Sequence, residues 1–183
     1  MPHQLTPPLA HDDVAALRAG DEVRLSGVLY TARDAAHKRL CALVEAGDEL
    51  PVDLRGQVIY FTGPTPPQPG MATGSAGPTT SYRMDAYSPV LIRGCGLRGM
   101  IGKGDRSPEV VAAMQEHGCV YFAAVGGAGA LIASHIKTAE VVCYEDLGTE
   151  AVRRLTVEDL PVVVAIDSHG ANLYTTGPPQ YRR

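Results

Sequence analysis

Short runs of β-branched and aromatic residues alternate along this chain with segments of helical spacing, and no other feature constrains its fold as much. Residues 22–31 (EVRLSGVLYT) have strand composition. Residues 34–46 repeat Ala36, Leu40, Leu43 and Val44 at helical spacing, and Gly47 can end that helix. Residues 57–61 (QVIYF) read as a short buried strand. A helix is expected from about Thr79 to Tyr87, with Pro89 disturbing any continuation. Residues 97–101 form the next expected strand, and Ser107-Pro108 opens a helix with Ser as N-cap and Pro at the first position. Residues 119–125 are a strand that Gly126 and Gly127 turn into a short Ala-rich helix through Ile136. Residues 140–144 and 162–166 are apolar β-branched runs that read as buried strands. The pattern predicts an α/β domain over residues 21–183, preceded by an N-terminal arm over residues 1–20. It leaves the strand order open and contains no internal repeat.

Between the second and third expected strands the chain is rich in glycine and proline from Gly63 to Pro78, as a long functional loop would be. The loop leads into Gly77-Pro78-Thr79-Thr80-Ser81-Tyr82-Arg83-Met84-Asp85. Thr79 stands where a helix needs its cap, and Arg83 comes one turn later. A helix N-terminus with hydroxyls and one guanidinium fork makes a corner for a carboxylate or phosphate. An ordinary capped helix with a surface arginine fits the same residues. Arg33 and Lys103 also lie at the ends of expected elements. The three cations either converge on one anion or are separate solvated charges.

Composition narrows the partners. The chain has 183 residues, a net charge of −4 and 45% hydrophobic residues, which suits one domain with a real core and does not suggest a general nucleic-acid binder. The first residues lack a signal-peptide pattern, and no apolar run approaches the ~20 residues of a membrane span, so a cytoplasmic location is expected. Cys41, Cys95, Cys119 and Cys143 are separated by 54, 24 and 24 positions, so no metal or cluster site is expected from this chain alone. The run from Gly94 to Gly99 matches GxGxxG, but a strand rather than a helix is expected after it, which argues against a dinucleotide site. His37, His117 and His135 share no ligand spacing and read as surface or structural. His169, at the end of the last expected strand, is placed near a site or subunit contact, or is likewise structural.

Four segments occur in a familiar order: TARDAAHK from Thr31, GPTTSYRMD from Gly77, IGKGDRS from Ile101, and VEDLPVVVAIDSHGANLY from Val157. Together they resemble the beta subunit, or C-terminal domain, of the class I iron–sulfur fumarase and L-tartrate dehydratase family. The resemblance implies a three-layer β/β/α swivelling domain with a mixed sheet. It implies a hydro-lyase that hydrates fumarate to malate reversibly. Arg33, Thr79, Arg83 and Lys103 would bind substrate carboxylates and hydroxyls, with Thr79 and Lys103 catalytic and Thr79 in proton transfer. Thr79 would need nearby positive charge, from Arg83 and Lys103, to ionise. Asp85, a more ordinary base, is expected to brace an arginine beside the site.

The resemblance also implies a 4Fe-4S cluster held by three cysteines of an alpha subunit, with one iron open to the substrate hydroxyl. This chain would then be active only in an alpha–beta heterodimer or a dimer of heterodimers. Tyr82 and Ala32 stand where many fumarases have glycine, and SHGAN replaces AHGN in the tail. These departures leave fumarate and tartrate both open as substrates. A non-catalytic anion-binding module of the same fold is the reading from another class.

Overall fold

The computed structural model describes residues 1–181. Strand β1 (His3–Leu5) is followed by α1 (His11–Ala16), β2 (Glu22–Thr31), α2 (Asp34–Ala46) and β3 (Val58–Tyr60). After the long loop come a 3-10 turn (Ser81–Met84), α3 (Ser88–Cys95), β4 (Gly99–Gly102), α4 (Pro108–His117) and β5 (Val120–Ala123). Helix α5 (Gly129–Ser134), β6 (Ile136–Cys143), a second 3-10 turn (Glu145–Glu150) and β7 (Val152–Ile166) come next, and α6 (Leu173–Thr176) and α7 (Pro178–Tyr181) end the described chain.

The strands form one mixed sheet in the order β1-β2-β3-β4-β5-β7-β6. Strands β1 to β5 run parallel to one another, and β7 runs antiparallel to β2, β5 and β6. Because β2 and β7 also pair along most of their length, the sheet folds back on itself and encloses a core. Leu25, Leu29, Leu155, Leu160 and Val164 of the β2–β7 pair meet Val58, Tyr60, Ile101 and Phe122 of the parallel strands there. The opposite face of β3, β4 and β5 presents Ile59, Met100 and Tyr121 to Leu40, Leu91, Ile92, Val110 and Met114 of α2, α3 and α4. The result is three layers, β/β/α, with an apolar filling between each pair. The residue pattern predicts the α/β class, and the three layers are those the family resemblance implies.

Local signals explain several boundaries. Gly47, Gly96 and Gly118 take the left-handed conformation that closes α2, α3 and α4. The Ser107 hydroxyl accepts the Val110 N–H at 3.4 Å, with Pro108 at the first helical position.

Three local expectations need correction. The helix expected over residues 79–87 is only the four-residue 3-10 turn, and Thr80 before it makes no side-chain cap. Pro89 does not disturb a helix but helps start α3, where its missing N–H costs nothing. Strand β6, which contains the 140–144 run expected to be buried, is an edge strand, with Val141 and Val142 exposed. Among the described residues its only sheet neighbour is β7. Residues 1–20 add β1 to the sheet beside β2 and set Leu9, Val14 and Leu17 in the enclosed core.

Candidate functional site

Parallel strands deliver their C-terminal ends to one edge of a sheet, where α/β proteins gather ligands. Here β2 ends before Arg33, β3 before residues 61–63, and β4 before Lys103. The Thr79 N–H donates to the Phe61 carbonyl at 2.6 Å. The Lys103 N–H donates to the Thr79 carbonyl at 3.4 Å, and the Ser81 N–H to the Lys103 carbonyl at 2.9 Å. Residues 79–81 therefore lie along the end of β4 as a short parallel extension, with Thr80 bridging Lys103.

That close approach needs Gly102, since a Cβ there would fall 1.9 Å from Ser81 Oγ. Tyr121 gives its hydroxyl proton to the Gly104 carbonyl at 2.8 Å, so the Ser81 hydroxyl must be the donor in its 2.8 Å bond to Tyr121. Backbone bonds thus fix Thr79 beside Lys103, not the helix cap expected from the sequence. Among the described residues no carboxylate lies within ion-pair distance of Lys103, and Lys103 is exposed.

The arginines are held differently. Arg83 donates its Nε–H to Asp34 Oδ1 at 2.9 Å, and its Nη2 stands 2.8 Å from Oδ2 as an ion-pair contact without hydrogen-bond geometry. Arg33, at the N-cap of α2, places Nη2 3.5 Å from Glu150 Oε1. Glu150 Oε2 accepts the Ala35 N–H at 3.0 Å and so also holds the start of α2. Gly63 lies against Arg33: a Cβ there would stand 3.1 Å from Nη1. The Nε–H of Arg33 is buried and, among the described residues, has no hydrogen-bond partner, a donor a bound anion would satisfy.

Below Arg33, His37 is fully buried and donates its Nδ1–H to the Arg33 carbonyl at 2.9 Å. Its ring stands edge-on to Phe61 at 5.3 Å. Burial, assisted by the Arg106 charge, lowers its pKa to about 4, so it stays neutral near neutrality.

Four of the sequence candidates, Arg33, Thr79, Arg83 and Lys103, are thus gathered at the ends of β2, β3 and β4. Two are not. Asp85 turns inward, where its carboxylate takes Arg106 Nε at 2.7 Å and the Ser107 N–H at 2.7 Å. His169 comes after the end of β7, which pairs with the start of β5 and so lies at the other edge of the parallel strands. There its Nε2 is 2.8 Å from Arg18 Nη1 and 3.0 Å from the Ala15 carbonyl.

Sequence reasoning did not single out Asp34, Glu150 or Arg106. The adjacency of Asp34 to Arg33 was a usable signal. Nothing local marks Glu150, which comes to Arg33 from 117 positions away.

The cysteines do not fit an iron–sulfur cluster. Among the described residues no three His, Cys, Asp or Glu side chains converge as a metal site. Cys41 and Cys119 are buried, and burial pushes both thiols up to about 12, away from the thiolate a cluster iron requires.

A family profile described as "Fumarase C-terminus" matches residues 3–177. The chain is 39% identical over 151 residues to the anaerobic class I fumarate hydratase of Escherichia coli, covering 82% of this chain and 28% of that protein. It is 38% identical over 174 residues to a protein of Geobacillus stearothermophilus named "Putative fumarate hydratase class I", covering 93% of this chain and 33% of the relative. It is 37% identical over 171 residues to a protein of Methanocaldococcus jannaschii named "Putative L(+)-tartrate dehydratase subunit beta", covering 91% and 88%. The chain therefore spans about a third of the fumarate hydratases and most of the tartrate dehydratase subunit. On the extent of that match and the fold that carries it, the chain belongs to the fumarase C-terminus family, shared by class I fumarate hydratases and tartrate dehydratase beta subunits.

Proposed function

We propose that this chain is the beta portion of an iron–sulfur hydro-lyase that interconverts fumarate and malate, working in the cytoplasm with an alpha subunit. The observation that carries the reading is the buried Nε–H of Arg33, unpartnered among the described residues, at the strand-end edge that also carries Arg83, Thr79 and Lys103. A dicarboxylate has two anionic ends to hold. Arg33 offers an unused donor to one, and Arg83 offers its fork to the other in exchange for Asp34. Lys103, free of acid partners among the described residues, lowers the cost of negative charge near the Thr79 hydroxyl. Thr79 then relays the proton on the carbon next to a carboxylate, and its hydrogen-bonded backbone keeps the hydroxyl in place. A 4Fe-4S cluster on the alpha subunit would supply Lewis acidity toward the hydroxyl. The cysteines of this chain do not suit it. The likeness to a tartrate dehydratase subunit over 88% of that relative favours L-tartrate as the second substrate reading.

The test is an anaerobic assay of the alpha–beta complex with fumarate, malate and L-tartrate, using wild type, Thr79→Ala and Thr79→Ser. The expected result is a kcat in Thr79→Ala lowered about a hundredfold or more, with KM nearly unchanged and partial recovery in Thr79→Ser. Mild and equal losses in both variants would leave Thr79 a purely structural residue. Turnover of L-tartrate but not fumarate would move the substrate to the second reading.

A further inference from the structure

Beside the clamp, but on different residues, lies a pocket of about 370 Å³ between the Pro-rich loop and the start of β7. Thr65, Pro66, Pro67 and Thr73 line it from the loop, Thr149 and Arg153 from the other side. Among the described residues Arg153 is its sole charged lining residue. The geometry points to this pocket as a second anion site, taking a small carboxylate or phosphate on the Arg153 guanidinium with the threonine hydroxyls as additional donors.

Arg153 has no carboxylate partner among the described residues. Nη1 donates to the carbonyls of Thr149 at 3.2 Å and Ala151 at 3.4 Å, and Nη2 to that of Gly148 at 3.0 Å. Those bonds orient the fork but leave its full charge uncompensated, and Nε and the second hydrogen of Nη2 remain for a ligand. A half-buried arginine in a pocket lined by three threonines, with no acid among the described lining residues, is complementary to an anion and to nothing cationic. The prolines add an apolar side suited to a short carbon body.

The site shares a turn with the clamp without sharing its residues. Arg153 holds the carbonyls of Gly148 and Thr149, while Glu150, next in sequence, holds Arg33. The inference does not depend on the proposed hydro-lyase activity, since it is read by binding to this chain.

The test is titration of the full chain with inorganic phosphate and, separately, malonate, monitored by backbone amide NMR. Saturable shifts centred on Thr65, Thr73 and Thr149 are expected with at least one probe. The stronger response identifies phosphate or carboxylate as the preferred group. In Arg153→Gln the midpoint should rise about tenfold or more, the loss of a charge-assisted contact. Ala139→Leu, which fills the pocket from β6 and leaves Arg153 untouched, should do the same and decides the matter if Arg153→Gln fails to fold. Arg83→Gln should leave the midpoint unchanged. Absence of saturable shifts at Thr65, Thr73 and Thr149 with both probes overturns the inference, whatever happens at the clamp residues Arg33 and Lys103, as do midpoints unchanged in the folded pocket variants.

Discussion

Arg83 and Asp85 lie two residues apart, and each enters an arginine–aspartate pair, yet the pairs are opposites. Arg83 reaches outward to Asp34, and the two side chains keep 41% and 31% of their exposure. Asp85 reaches inward to Arg106, whose side chain is wholly buried. Arg106 spends its other donors on Ser88 Oγ at 2.6 Å and Met100 Sδ at 3.3 Å, and its guanidinium faces the rings of Phe61 and Tyr121 at 5.2 and 5.0 Å. An exposed pair gains little from its own attraction and can trade one carboxylate for another. A buried pair cannot, because whichever partner leaves strands a charge among rings. One short segment therefore carries an exchangeable arginine and, two positions on, the carboxylate that anchors a permanent one.

The sharpest way to break this comparison is Asp85→Ala. It leaves Arg106 charged, buried and without its acid, and should cost about 3–5 kcal/mol in urea unfolding of the full chain. A cost under about 1 kcal/mol would make the inner pair as dispensable as the outer one.

A somewhat smaller effect is expected from acid acting on His37, which Arg106 helps to keep neutral. Its pKa is about 6.5 in the unfolded chain and about 4 when folded, so the unfolded chain takes up the proton first. Stability from this group is full above pH 6.5 and drains away as pH falls toward 4, by roughly 3 kcal/mol at about 1.4 per pH unit. Unfolding curves of His37→Gln should show a flatter slope than wild type across that window. Parallel slopes would mean that His37 protonates without unfolding the chain.

The smallest effect on stability belongs to Arg83→Lys. The outer pair is partly exposed, so unfolding should shift by no more than about 0.5 kcal/mol. Turnover of the alpha–beta complex should nevertheless fall steeply, because an ammonium cannot hold a carboxylate with two parallel bonds. Normal turnover in that variant would take Arg83 out of the clamp.

The sequence made much of this visible, though unevenly. Strand β2, helix α2 and the Ser107 cap arise from periodicity and local chemistry, which act over a few residues. Helix α3 was missed because Pro89 serves as well at a first turn as it harms an interior, and spacing alone does not say which. The exposure of Val141 and Val142 depends on β6 having one neighbour, a property of strand order rather than of composition. In the site, Arg33, Thr79, Arg83 and Lys103 stood out as residues. Their holders did not, since Asp34 meets Arg83 across 49 positions and Glu150 meets Arg33 across 117.

The Pro-rich loop is tied off at its base. The Thr62 hydroxyl donates to the Gly77 carbonyl at 2.8 Å, the Thr79 N–H donates to Phe61, and the Thr65 N–H donates to the Ser75 carbonyl at 3.0 Å. Closing such a ring costs entropy that varies only with the logarithm of its length, so removing or adding a few residues near its tip shifts stability by a few tenths of a kcal/mol. The clasp, not the contour, sets where Thr79 stands. The exposed tip, residues 66–71, is thus an exchangeable cassette: segments of other lengths can be grafted there, redrawing one wall of the Arg153 pocket, while buried Thr73 and Gly74 and the machinery beyond the clasp stay in register.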